Sequence, residues 1–115
     1  MALHYNLAKV YEISSNDAHF ALETLELFLK EIPVEIKNIK NGIKTKNYSK
    51  TANAALKIKP ILDLLGMDMA VDEVNQIVEW TKLEGKKKDI KEIFKLLKEQ
   101  IESCLKEIRK NHSIR

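Results

Sequence analysis

The sequence predicts an all-α fold, an antiparallel four-helix bundle with a short extra helix at its N-terminus. Three observations carry this expectation. Apolar residues recur at steps of 3 and 4 over four long stretches, which is the signature of helices that bury one side. Only three Gly and two Pro occur among 115 residues, too few for the many turns of an all-β chain. Nowhere does an alternating, strand-like pattern appear.

Length and composition agree with a single domain over residues 1–115, large enough for one core and not for two. Hydrophobic residues make up 44% and charged residues 32%, the balance of a globular protein with a generously charged surface. One cysteine, Cys104, excludes an internal disulfide framework, and no His, Cys, Asp or Glu set has metal-ligand spacing. No cofactor is expected. No apolar run reaches the length of a membrane span, and no charged-then-apolar leader opens the chain, so a cytoplasmic monomer without membrane contact is the default expectation.

In chain order, Tyr5 to Ile13 reads as a short lid helix that buries Leu7, Val10, Tyr11 and Ile13. Ser14-Ser15-Asn16-Asp17 breaks it and offers side-chain oxygens to cap the next helix. From Asp17 to Lys44, Leu22, Leu25, Leu29, Ile32, Ile36, Ile39 and Ile43 form an unbroken seam, widened by Phe20, Ala21 and Phe28. Pro33 sits inside this pattern, and because the period continues in phase beyond it, one bent helix is expected. Gly42 and Thr45-Lys46-Asn47 close this helix, and Tyr48 or Ser49 opens the next.

In that third stretch, from Thr51 to Gly66, Ala54, Ala55, Ile58, Ile61, Leu62 and Leu65 gather on one side at 100° per residue. Ala52, Asn53, Lys59, Pro60 and Asp63 gather on the other. Leu56 falls in the middle of the polar group, so a large aliphatic side chain is expected in solvent. Gly66-Met67-Asp68 ends the helix, Gly66 suiting a left-handed cap. Met69 to Leu83 is a shorter helix with Val71, Val74, Ile77, Val78 and Trp80-Thr81, and Glu84 to Asp89 is a turn. Asp89 to Arg109 is the last helix, with Ile90, Ile93, Phe94, Leu97, Ile101, Cys104, Leu105 and Ile108 facing inward. Asn111 to Arg115 should fray.

The run Ala55-Leu56-Lys57-Ile58-Lys59-Pro60, followed by Leu65-Gly66, resembles the signature helix of histidine-containing phosphotransfer (HPt) domains. That signature reads Ala, His, any residue, Leu or Ile, Lys, Gly or Pro, a small residue, and later an apolar residue before Gly. Ala55, Ile58, Lys59, Pro60, Leu65 and Gly66 fit it; Leu56 stands at the phosphohistidine position and Ile61 at the small one. The resemblance extends to the short first helix and the break that follows. It implies a four-helix bundle that docks on response-regulator receiver domains or a sensor kinase of a two-component pathway. Docking would use Asn53, Leu56, Lys57, Lys59, Pro60 and Asp63, with Ala55, Ile58 and Gly66 in structural roles. In the family the lysine at the place of Lys59 helps neutralise the phosphoryl group.

Leucine has no nucleophilic or proton-accepting atom, so phosphotransfer at Leu56 is excluded chemically. His4, His19 and His112 lie outside the motif, and no paired carboxylates, Ser–His arrangement or Gly-rich loop suggests another catalyst. A non-enzymatic adaptor, competitor or inhibitor of a phosphorelay is the expectation. The alternative is a helical interaction module whose partner lies outside such signalling. Between Glu35 and Asp63 stand seven lysines and no acid, while the whole chain is only +3. This fits either a solvated helix surface or a docking face for an acidic partner. Nucleic acid fits less well, because the segment lacks arginine and has Tyr48 as its only aromatic.

Overall fold

A computed structural model describes residues 4–112, and over them the chain is all-helical. Five helices follow one another: α1 (Ala8–Ile13), α2 (Ala18–Lys44), α3 (Tyr48–Leu64), α4 (Asp68–Lys82) and α5 (Lys87–His112). They pack around one hydrophobic cluster, in which α2 meets α3 and α5, and α4 lies against α3 and α5. The turns are short, and α2, α3 and α4 each pack against the helix that follows. No helix among the described residues is long and apolar enough to cross a membrane.

The expected seam of α2 is buried at Leu25, Leu29, Ile32, Ile36 and Ile39, with Leu22 and Ile43 half-buried near the ends. Asp17 caps the helix by accepting from the N–H groups of His19 and Phe20 at 3.0 and 3.1 Å. The helix continues unbroken through Pro33, and the seam stays inward on both sides of it. The inward residues of α4 and α5 also match the expectation, from Val74, Ile77 and Trp80 to Leu97, Ile101 and Ile108. Cys104 is a buried filler whose thiol is pushed up to about 12 by burial and then by the charge of Glu107. It is protonated and unreactive at neutral pH.

Four expectations need correction. The first helix starts at Ala8, not Tyr5, and Ile13, its last residue, is 67% exposed; Val10 is buried as expected, and Tyr5, ahead of the helix, is buried as well. Phe20 does not widen the α2 core, since it sits about 140° round the helix from Leu25 and is 44% exposed. The last helix begins at Lys87. It also does not fray at Asn111, because Asn111 and His112 both meet the hydroxyl of Tyr5, at 3.1 and 3.0 Å. That contact spans nearly the whole chain and gives the final turn a partner no local pattern reveals. The rest of the expected frayed tail, residues 113–115, lies outside the described residues.

Gly66 closes α3 as expected, with φ +68°. Its N–H bonds to the Asp63 carbonyl and that of Met67 to the Leu62 carbonyl, both at 3.0 Å, which is a Schellman cap. A Cβ on Gly66 would also stand 2.9 Å from Cβ of Asn6, whose N–H donates to the Leu65 carbonyl at 2.7 Å. Glycine is therefore required twice here, for the backbone and for the close passage of the N-terminal segment.

One carboxylate is drawn inside. Glu73 is buried between α4 and α5 and accepts from Nε2 of Gln100 at 2.8 Å. Burial, with the charge of Asp72 adding to it, raises its pKa above the ordinary carboxylate range. The folded protein then holds this proton at pH values where the unfolded chain has released it, so stability falls as pH rises through that window. Denaturant titrations between about pH 4 and pH 8 should show Glu73→Gln gaining on the wild type as pH rises. A gain that shrank with rising pH would contradict the raised pKa.

Candidate functional site

Helix α3 is held on two sides by small residues. Ala54 and Ala55 are buried and let neighbouring helices come close. Gly42 of α2 faces Thr51, and a Cβ there would collide with the Thr51 hydroxyl. Thr51 itself is fully buried and satisfied, its hydroxyl donating to the Asn47 carbonyl at 3.0 Å. Asn47 caps the helix by accepting from the Lys50 N–H at 3.1 Å. Ile58, Leu62 and Leu65 are fully buried below this contact.

With that side fixed, the remaining residues can point only outward. Leu56 is 50% exposed, while Ala55 and Ile58 on either side of it are at 0%. Asn53, Lys57, Pro60 and Asp63 are exposed around it and Lys59 is half-buried. Pro60 has no N–H to give to the carbonyl four residues earlier, and that carbonyl belongs to Leu56. The site is therefore an apolar side chain with two flanking lysines, on a turn of helix that has lost one backbone hydrogen bond.

Two of the expected docking residues also have partners within the chain. Lys57 Nζ is 3.9 Å from a carboxylate oxygen of Glu35 on α2, and Asp63 accepts from Lys9 Nζ of α1 at 3.2 Å. Both pairs are at the surface and contribute little stability. They do fix the geometry, because the first places Glu35 on the α3 side of α2. Counting from Glu35 at 100° per residue, Lys37, Lys40 and Lys44 lie roughly 140–200° round α2. The lysines between Glu35 and Asp63 thus form no single face. Lys57 and Lys59 flank Leu56, and the others point away or crowd one end of the molecule.

The three histidines are elsewhere and occupied. His4 Nδ1 is 2.8 Å from Glu107, His112 meets Tyr5, and His19 pairs with Glu23 at 2.8 Å one turn along α2. His4 and His112 border a cleft of about 840 Å³ at the Gly66 end of α3, ten residues and roughly 15 Å along the helix from Leu56. Among the described residues, no group of three potential metal ligands comes together.

One feature of this region escaped the sequence reading. Leu27 and Val34 of α2, 50% and 54% exposed, border a shallow groove that also takes in Ile61 and Lys57 of α3. Phe20, Leu27 and Val34 recur at steps of seven, so a second, outward stripe was present in the sequence beneath the stronger inward one. Ile61 is half-buried at the edge of this groove, which makes it a packing residue that also lines the surface.

No family model matches this chain, and no curated protein or solved structure is found to be similar. The face assignment has a direct check in stability. Leu56→Ala should cost about 1 kcal/mol or less, and Ile58→Ala about 2–5 kcal/mol, in denaturant titration. Equal losses at the two positions would mean that Leu56 is a core residue.

Proposed function

We propose that this chain is an HPt-like antiparallel four-helix bundle that docks on receiver domains and cannot carry a phosphoryl group. The observation that carries this reading is Leu56: a half-exposed aliphatic side chain at the centre of the polar side of α3, between Lys57 and Lys59. A large apolar group surrounded by polar ones is the arrangement of an interface anchor with a polar rim. The two lysines suit an acidic surface, such as the phosphorylation pocket of a receiver domain. The closed ring of contacts α2–α3–α4–α5 supports the bundle, and the short α1 tied to α3 through Lys9 and Asp63 supports the lid. Docking without transfer makes the protein an adaptor, competitor or inhibitor in a phosphorelay. The exposed Leu27 and Val34 beside the same groove favour, as a second reading, a helical partner unconnected with phosphorelay.

Incubation with phosphorylated receiver domains and binding titrations test both. The protein should acquire no acid-labile phosphate, and at least one receiver should bind, more weakly as salt rises. Leu56→Asp should lower that affinity about tenfold or more, roughly 1.4 kcal/mol. Leu56→His, alone or with Ile61→Ser to make room, should gain phosphate. Phosphate on His4, His19 or His112 of the wild type would overturn the inactive reading. Binding that ignores Leu56→Asp would remove the proposed interface.

A further inference from the structure

Two turns far apart in sequence meet at one end of the molecule. The hydroxyl of Tyr48, at the start of α3, donates to the Gly85 carbonyl in the α4–α5 turn at 2.9 Å. Its ring packs against that of Trp80 with centroids 5.1 Å apart, and Trp80 Nε1–H donates to the Lys86 carbonyl at 2.8 Å. Gly85 passes so close to the Trp80 ring that a Cβ would collide with it. The residues that close the turns, Lys46 and Glu84, are both left-handed, at φ +53° and +49°. The two turns are therefore joined into one platform whose backbone is already set.

The charge on this platform is lopsided. The first turn brings Lys44, Lys46 and Lys50, with no acid between them. The second brings Lys82, Lys86, Lys87 and Lys88 against Glu84 and Asp89. That is a surplus of five positive charges in a chain whose total is +3, so the rest of the molecule is net negative. None of these seven lysines is in an ion pair among the described residues. Between Lys82 and Lys86 stands Leu83, 73% exposed and the most exposed large apolar residue of the described chain.

We propose that this end of the molecule docks reversibly on an anionic lipid surface, the lysines meeting headgroup phosphates and Leu83 entering the headgroup–acyl boundary. A positive pole on an otherwise negative molecule turns that end toward a negative surface. Lysine stems lie along an apolar boundary while their ammonium groups stay in the headgroup layer, and an apolar tip among them adds buried area. Nucleic acid matches less of the platform. Arginine, the residue suited to bidentate phosphate and base contacts, is missing from both turns. The aromatic rings that could stack on bases are committed inward, Trp80 being 5% exposed. The platform also shares no residue with the Leu56 site, so the two proposals stand or fall separately.

Vesicle flotation at low salt tests the idea with the whole chain. The protein should float with vesicles of phosphatidylcholine and phosphatidylglycerol, should not float with phosphatidylcholine alone, and should detach as salt rises. Lys86, Lys87 and Lys88 changed together to Gln should weaken binding on the order of 100-fold, from roughly fivefold per lysine. Leu83→Gln should weaken vesicle binding several-fold and leave elution from a heparin column unchanged. Leu56→Ala should float like the wild type. Failure to float with anionic vesicles, or equal flotation with neutral ones, overturns the proposal. So does flotation unaffected by Leu83→Gln, and if duplex DNA displaces the protein from anionic vesicles at equal phosphate concentration, the platform is a nucleic-acid site instead.

Discussion

The close approach of α2 and α3 at Gly42 and Thr51 is the contact on which the rest of this structure depends. A helix normally keeps its neighbour at a distance set by the side chains between them. Here one partner offers no side chain at all and the other a threonine whose hydroxyl is turned back onto Asn47. Ala54 and Ala55 continue the small surface along α3. With so little bulk between the helices, the rotation of α3 about its own axis has little latitude. That rotation puts Ile58, Leu62 and Leu65 inward and leaves Leu56 outward, and Gly66 then ends the helix where the N-terminal segment can cross it.

Leu56 and the lysine platform are two surfaces with different chemistry and one origin. Each exists because a few internal contacts are settled elsewhere. Leu56 is exposed because the opposite side of α3 is filled, and the lysines are concentrated because Tyr48 and Trp80 bind two turns together. Polar groups that were drawn inside have been satisfied. Glu73 has Gln100, Thr51 has the Asn47 carbonyl, and among the described residues no buried side-chain nitrogen or oxygen is left without a partner.

Much of this was legible in the residues, for identifiable reasons. The seam of α2 could be read through Pro33 because its steps of 3 and 4 never slip, and the exposure of Leu56 followed from angles alone. What could not be read depends on contacts between distant parts of the chain. Asn111 and His112 look like a loose tail until Tyr5 is seen to meet them. Phe20 looked like core because it is aromatic and near the seam, yet its stripe, shared with Leu27 and Val34, faces outward. The lysines between Glu35 and Asp63 looked like one face because they are consecutive in sequence, although the turn of the helix divides them. Nothing local links Lys46 to Lys87, and it is the contacts of Tyr48 with the Trp80 ring and the Gly85 carbonyl that bring their turns together.

The central claim, that the missing side chain at Gly42 sets the position of α3, is tested most directly by Gly42→Ala. Helix propensity alone would make this change stabilising, by up to about 1 kcal/mol, because Gly42 lies within α2. Overpacking against Thr51 should instead destabilise the fold by about 1–3 kcal/mol in denaturant titration, with part of the loss recovered when Thr51→Ala is added. A single Gly42→Ala variant more stable than the wild type would contradict the account.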